Sequence, residues 1–201
     1  GADKLDAKSV DAEMRYLFNR YVKAEESEVL QNLEEWGVLD LVMANQTDQL
    51  PENIKANPEL MAEVIENNVH SAIVDENPVN PRYYEKMSVL LEELIAQRKQ
   101  QSIEYQEYLQ KIAELVRQVK QPGFQHYPPE ISTPARRALY DNIAQDAAWV
   151  VRLDAAVLQN KPDDWANSPM KTKQLLKALR PLLQEKVADE AAVIELIKQQ
   201  E

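Results

Sequence analysis

Two runs of apolar residues at helical spacing lie close together in the middle of the chain. The first consists of Tyr84, Met87, Leu91 and Leu94, and the second of Tyr105, Leu109, Ile112, Val116 and Val119. Intervals of three and four residues keep each run on one face of an α-helix, and their alternation favours long helices packed side by side. Because a polar segment, residues 97–101, separates the runs, we predict an antiparallel helical hairpin over residues 81–119.

Helix starts along the chain are marked by a capping residue followed by proline. A side-chain oxygen at the N-cap accepts hydrogen bonds from the free N–H groups of the first turn, and proline is tolerated at the first helical position. This signature occurs at Asn57-Pro58, Asn80-Pro81, Thr133-Pro134 and Ser168-Pro169. Ser102 and Asp189 are predicted to cap two more helices, the first of them the second helix of the hairpin.

Apolar periodicity predicts further helices on both sides of the hairpin. Before it, the predicted helices span residues 9–36 and about 58–74, with Gly37 as the stop of the first and residues 38–44 as a short second apolar segment. After it, residues 120–132 contain three prolines and a glycine and are predicted to form an extended loop. A helix restarts at Pro134 and continues over residues 145–159. Two more helices follow over residues 170–184 and 189–198. Pro181 is predicted to kink or divide the first of these two.

These elements predict an all-α fold. Strand-like alternation is nearly absent, and Gly and Phe are few. We expect an irregular bundle of about seven to nine helices around the central hairpin. Residues 9–201 are predicted to form a single helical domain, with a subdomain boundary near residues 75–80 left open, and residues 1–8 to be a tag remnant and a frayed lead.

Charge divides the chain into two parts. Residues 1–78 hold 17 acidic and 6 basic residues, whereas residues 79–201 hold 17 of each, so the net charge of −11 lies in the N-terminal part. A strongly acidic chain is a poor nucleic-acid binder, because contact with phosphates needs a basic surface. Any DNA contact must therefore come from local basic patches in the C-terminal part.

Two basic groups are candidates for that contact. Arg136 and Arg137 lie just inside a predicted helix start, and Lys173, Lys177 and Arg180 follow each other at helical spacing on a later helix. A row of this kind can neutralise phosphates, and it is also what the solvated face of an amphipathic helix looks like. The DNA-contact candidates are Arg136, Arg137, Lys171, Lys173, Lys177 and Arg180. The partner-contact candidates are Tyr83, Arg98, Lys99 and Trp165, with burial of the aromatic residues in the core as the alternative.

Most catalytic chemistry is missing from the sequence. Three scattered glycines cannot form a phosphate-binding loop, and the absence of Cys excludes disulfides, thiolate zinc sites and Cys nucleophiles. His70 and His126 lack metal-ligand spacing, and Asp163 and Asp164 fit a turn better than an ion site. No apolar run approaches the roughly 20 residues of a membrane span. We therefore expect no catalytic residue, metal or cofactor in this chain, no membrane contact, and a cytoplasmic location.

Four long segments of the chain resemble the C-terminal region of the R, or motor, subunit of type I restriction enzymes. They are rich in aromatic residues and proline, and their order and spacing are also similar. The segments are Glu66–Pro81, Asn80–Leu115, Tyr127–Ile143 and Asp163–Leu183. The resemblance runs from about Tyr16 to the end. Two departures concern basic residues of the family, which stand where this chain has His70-Ser71 and Ala166.

The resemblance implies that the chain is a helical, non-catalytic part of a larger subunit. The family's motor subunit carries a nuclease domain and two helicase-like ATPase lobes upstream, to which ATP and Mg belong. The helical region is implied to join the motor to the methyltransferase and specificity subunits and to hold double-stranded DNA beside the translocating lobes. Two alternatives remain: a structural brace that packs only on the helicase lobes, and an unrelated helical adaptor of an acidic cytosolic complex.

Overall fold

The computed structural model describes residues 37–50, 52–124, 127–186 and 188–201, and within these ranges the fold is all-α, as predicted, with no strand. The α-helices are α1 (Val38–Met43), α2 (Glu52–Lys55), α3 (Pro58–Glu76), α4 (Pro81–Lys99), α5 (Tyr105–Lys120), α6 (Pro134–Asn142), α7 (Ala147–Asn160), α8 (Pro169–Glu185) and α9 (Glu190–Lys198). Short 3-10 helices occupy Thr47–Gln49 and Pro122–Phe124. The helix predicted over residues 9–36, the lead over residues 1–8, and His126 lie outside the described residues.

The chain divides into two compact units, Gly1–Ile65 and Glu66–Glu201, and the division falls within α3. In the described part of the first unit, the buried side chains come from α1, from α2 and the turn before it, and from the first part of α3. They include Val38, Leu39, Val42, Leu50 and Ile54. Gly37 precedes α1 in a left-handed conformation with φ +56°, which suits a glycine at a helix boundary.

The predicted hairpin is confirmed in the second unit, where α4 packs along α5. The hydroxyl of Tyr83 donates to the carbonyl oxygen of Gln118 at 2.8 Å, and that of Tyr84 donates to Val119 at 3.4 Å. These bonds join the start of one helix to the end of the other, so the pair is antiparallel. Burial in this seam raises the pKa of Tyr83, and it raises the pKa of Tyr84 to about 12.

The hairpin departs from prediction at the turn between its helices. Ser102 does not cap α5; its N–H and its hydroxyl both donate to the carbonyl oxygen of Gln97, each at 3.0 Å. Gln101, at φ +53°, takes the left-handed position that closes α4 in a Schellman-type turn. Ser102 therefore belongs to the end of α4, and α5 begins after Glu104 without a side-chain cap.

Burial along α5 also differs in part from the prediction. Ile112, Val116 and Val119 are buried as expected, whereas Tyr105 and Leu109 remain half-buried. Tyr108 is fully buried instead, because its hydroxyl has a buried partner on α3 that the hydrophobic pattern does not show.

The predicted capping residues other than Ser102 act as caps. The Oδ1 atom of Asn80 accepts from the N–H of Tyr83 at 3.4 Å, and Thr133 Oγ1 accepts from Arg136 at 3.2 Å. Ser168 Oγ accepts from the N–H of Lys171 at 3.4 Å. Asn57 and Asp189 each accept from two N–H groups of the first turn that follows them. Each satisfies donors that the helix itself leaves open.

Helices α6 to α9 surround a second group of buried residues centred on Trp149. Its members include Leu139, Trp149, Val150, Leu153, Trp165, Leu175, Leu179, Leu183, Val193 and Ile194. The helix predicted to continue over residues 145–159 is instead a separate helix. Asp146 caps it by accepting from the N–H of Trp149 at 3.0 Å. Pro181 does not divide α8, which runs from Pro169 to Glu185.

Candidate interaction surfaces

Helix α8 presents a basic face opposite its buried face. Leu175, Leu179 and Leu183 point into the core, and Lys173, Lys177 and Arg180 are exposed. At 100° per residue, these three cations lie on the side of the helix that faces away from the leucines. The helix carries no carboxylate before Glu185. The row predicted from sequence therefore exists as a solvent-facing surface, which we call the α8 face: Lys173, Lys177 and Arg180.

The cations of α8 differ in their hydrogen-bond and ion-pair partners. One edge of the Arg180 guanidinium donates to both carboxylate oxygens of Glu190, with Nε to Oε1 at 2.9 Å and Nη2 to Oε2 at 3.2 Å, and this pairing lowers the pKa of Glu190. Lys171 donates to the carbonyl oxygen of Asp163 at 2.7 Å and so closes the turn before the helix. Lys173 and Lys177 make no hydrogen bond or ion pair with any residue that the structure describes.

Arg136 and Arg137 fasten the loop that precedes α6. Arg136 pairs through Nε with Asp154 Oδ2 at 2.7 Å and donates to the carbonyl oxygen of Glu130 at 3.0 Å. Arg137 donates to the carbonyl oxygen of Ser132 at 2.9 Å. Gly123 permits this arrangement, since a Cβ at that position would lie 3.2 Å from Arg137 Nη1. Both arginines therefore hold the fold, and their contact with DNA stays a prediction.

Three of the four partner-contact candidates lie in the interior. Tyr83 is 4% exposed, Trp165 is 2% exposed and Arg98 is 9% exposed, whereas Lys99 is exposed at the end of α4. Direct contact of a partner with the three buried side chains would require the chain to open around them. Lys99 is the member of this set that a partner can reach without such a change.

Arg98 belongs to a buried polar network that joins α3, α4 and α5. Its Nε and Nη2 atoms donate to the two carboxylate oxygens of Glu66 at 2.7 and 3.0 Å. The Tyr108 hydroxyl donates to Glu66 Oε1 at 3.0 Å, and the guanidinium lies 5.8 Å from the centre of the Tyr108 ring. Burial, and then the Glu66 carboxylate, raise the pKa of Tyr108, which keeps its hydroxyl protonated as the donor.

The acidic residues of the turn before α8 also make contacts within the chain. Asp164 sits at φ +53° and accepts from the Asn167 side chain at 2.7 Å, while Asp163 supplies the carbonyl oxygen that Lys171 binds. Over the ranges 37–50, 52–124, 127–186 and 188–201, no group of three or more His, Cys, Asp or Glu residues could hold a metal ion. The helices described above do not combine the length and apolar character needed to cross a bilayer.

No family model, curated protein or solved structure matches this chain. The interpretation of its surfaces therefore rests on the chain's own residues and on the resemblance described above.

A further cleft, which the sequence did not indicate, opens between the start of α4 and the end of α6. Its walls carry two cations and two half-buried aromatic rings, together with a carboxylate and an amide. The lining residues are Arg82, Tyr83, Lys86, Tyr127, Tyr140, Asp141 and Gln145. The lining residues come together through contacts between segments about 60 residues apart in the chain. One such contact is the 2.7 Å hydrogen bond from Asn80 Nδ2 to Asp141 Oδ2.

Proposed function

We propose that this chain is a non-catalytic helical domain that serves the assembly of a type I restriction enzyme, as part of its motor subunit. Contact with double-stranded DNA is its second role, in the cytoplasm. ATP and Mg belong to the upstream domains of such a subunit. The α8 face carries the proposed DNA contact, because Lys173 and Lys177 are exposed on a helix fixed by buried leucines and make no bond with any described residue. The proposed assembly role follows from the resemblance of the four long segments.

The distribution of charge supports protein assembly as the first role. Of the six DNA-contact candidates, Arg136 and Arg180 are neutralised by Asp154 and Glu190. Arg137 and Lys171 keep their charge but are held by backbone carbonyls. Lys173 and Lys177 are the two candidates whose charges remain available for contact with a phosphate backbone. Two such contacts give a weak and salt-sensitive contribution, which is useful beside stronger contacts made by other parts of an enzyme.

The DNA role predicts a limited salt dependence. Each neutralised phosphate contributes about 0.9 to the slope of log affinity against log salt concentration, so loss of two contacts should reduce the magnitude of the slope by about 1.8. We expect this reduction for Lys173→Glu/Lys177→Glu in the assembled enzyme. The measurement is a filter-binding series with double-stranded DNA over a range of salt concentrations.

A charge-matched variant serves as the control. Lys111→Glu/Lys198→Glu adds the same negative charge on α5 and α9, where both lysines form exposed pairs within one helix. Such pairs contribute little to stability, so this variant should fold and keep the original slope. If both double variants reduce the slope equally, the effect is one of net charge and the α8 face does not contact DNA.

The assembly role predicts binding to the methyltransferase and specificity subunits. We expect the purified chain to co-elute with a preformed complex of these two subunits in size-exclusion chromatography. Co-elution with the isolated helicase lobes, and failure to bind the methyltransferase complex, would instead support the structural brace. Crosslinking at Lys173, Lys177 and Lys99 in the assembled enzyme then identifies which subunit each side chain reaches.

A further inference from the structure

The cleft between α4 and α6 has a volume of about 310 Å³, which lies within the range of small-ligand sites. Tyr83 forms its buried floor, and Arg82 and Lys86 stand one helical turn apart on the exposed side of α4. Tyr140 and Asp141 come from α6, and Tyr127 comes from the loop before it. The site therefore lies between two helices that the Asn80–Asp141 hydrogen bond joins.

The two cations of the cleft have no carboxylate partner. Arg82 donates from Nη1 to the backbone oxygen of Asp141 at 3.4 Å, and Lys86 makes no bond with any residue of the described ranges. The Asp141 carboxylate instead accepts from Asn80 Nδ2 and from the Tyr127 hydroxyl, both at 2.7 Å. With this acid turned to neutral donors, an anion entering the cleft meets a guanidinium and an ammonium group.

The aromatic wall offers a surface for a planar group. Tyr127 and Tyr140 are half-buried and meet edge to face, with ring centroids 6.1 Å apart and an interplanar angle of 78°. Burial, and then the hydrogen bond to Asp141, raise the pKa of Tyr127, so its ring stays neutral. In a T-shaped pair each ring keeps a face that the other does not cover, and such faces stack with nucleobases.

We propose that this cleft binds a nucleoside 5′-phosphate group, with the phosphate between Arg82 and Lys86 and the base stacked on the ring of Tyr140. The amide of Gln145 lies where it can donate to or accept from the edge of the base. An inorganic anion would use only the cations, and a neutral aromatic compound only the rings. A nucleotide uses both sets of groups. This proposal does not rest on the assembly role proposed above.

The test is isothermal titration calorimetry on the full chain, with adenosine 5′-monophosphate, adenosine and inorganic phosphate as separate probes. We expect the nucleotide to bind, and adenosine and phosphate each to bind about tenfold or more weakly, because each lacks half of the contacts. Adenosine that binds as tightly as its monophosphate, or a nucleotide that gives no heat of binding, would overturn the proposal.

Four variants separate the roles of the cleft residues. Tyr140→Ala should weaken nucleotide binding by about tenfold or more, because a base-stacking contact is lost, whereas Tyr140→Phe should retain binding. Lys86→Gln should weaken it by several-fold, and Lys99→Gln, which removes an exposed lysine near the other end of α4, should leave it unchanged. Equal effects of Lys86→Gln and Lys99→Gln would contradict a site in this cleft.

The source of the nucleotide is settled by two further probes, thymidine 5′-monophosphate and a short oligothymidylate. Tighter binding of the oligonucleotide than of thymidine 5′-monophosphate, with the same loss in Tyr140→Ala, assigns the cleft to a single strand. Equal binding assigns it to a free nucleotide. Oligonucleotide binding that Tyr140→Ala leaves unchanged would place the contact elsewhere and overturn the proposal.

Discussion

The Glu66→Ala variant is expected to lose about 3–5 kcal/mol of the free energy of unfolding, because it removes the carboxylate to which the buried Arg98 guanidinium donates two hydrogen bonds. The side chains of Glu66 and Arg98 are each 7% exposed, so water cannot replace the missing charge. Tyr108 loses the acceptor of its hydroxyl in the same change. Urea unfolding followed by far-UV circular dichroism measures the difference.

Two further variants test whether the cost comes from the uncompensated charge. Glu63→Ala, on the exposed side of the same helix, should change the free energy of unfolding by no more than about 0.5 kcal/mol. Replacing the whole network by apolar groups, as Glu66→Leu/Arg98→Met/Tyr108→Phe, should recover most of the loss, since the buried charges and the buried hydroxyl are then removed together. A triple variant as unstable as Glu66→Ala would show that packing, and not charge, dominates.

The Trp149→Ala variant is expected to lose a similar amount, about 3–5 kcal/mol, through the cavity left in the second core. Trp149 is fully buried, and its indole Nε1 donates to the carbonyl oxygen of Leu182 at 2.9 Å. That oxygen belongs to the last turn of α8, where the helix itself offers no donor. The variant therefore removes both one of the two buried tryptophan side chains of this core and a bond that closes the end of a helix.

Smaller changes at the same helix separate these two effects. Trp149→Phe keeps much of the volume and loses the hydrogen bond, so we expect a loss of about 1–3 kcal/mol. Leu158→Ala removes a side chain of α7 that is 60% exposed and should cost no more than about 0.5 kcal/mol. Thermal unfolding of the four proteins gives the order. Equal losses for Trp149→Ala and Leu158→Ala would contradict the burial that the structure describes.

Local signals were sufficient for most of the helix starts and for the hairpin. Asn80, Thr133 and Ser168 cap their helices because the cap acts within three residues, a distance over which sequence and structure coincide. Ser102 failed for a local reason of a different kind. Gln101, the residue before it, closes the preceding helix in the left-handed conformation. Glycine or asparagine would indicate that conformation in a sequence, whereas glutamine does not.

The polar network and the state of the basic residues could not be predicted from local pattern. Glu66 lies 32 residues from Arg98 and 42 from Tyr108 in the chain, and each residue alone resembles a solvated side chain. Arg136 and Arg180 are distinguished from Lys173 and Lys177 by acids 18 and 10 residues away. Helical periodicity located the α8 face correctly, but only the packing of neighbouring helices decides which cations on it remain available.

The internal neutralisation of Arg136 and Arg180 has a consequence for the DNA contact proposed above. With only two exposed lysines on the α8 face available, attraction at a distance is small, and Debye screening at physiological salt confines it to about 8 Å. Diffusional steering would therefore contribute little to an encounter. Covalent linkage to a larger polypeptide would replace it, since a short tether maintains effective concentrations in the millimolar range. Under the proposed function, Lys173 and Lys177 would then bind the phosphates of DNA that other domains of the same polypeptide already hold.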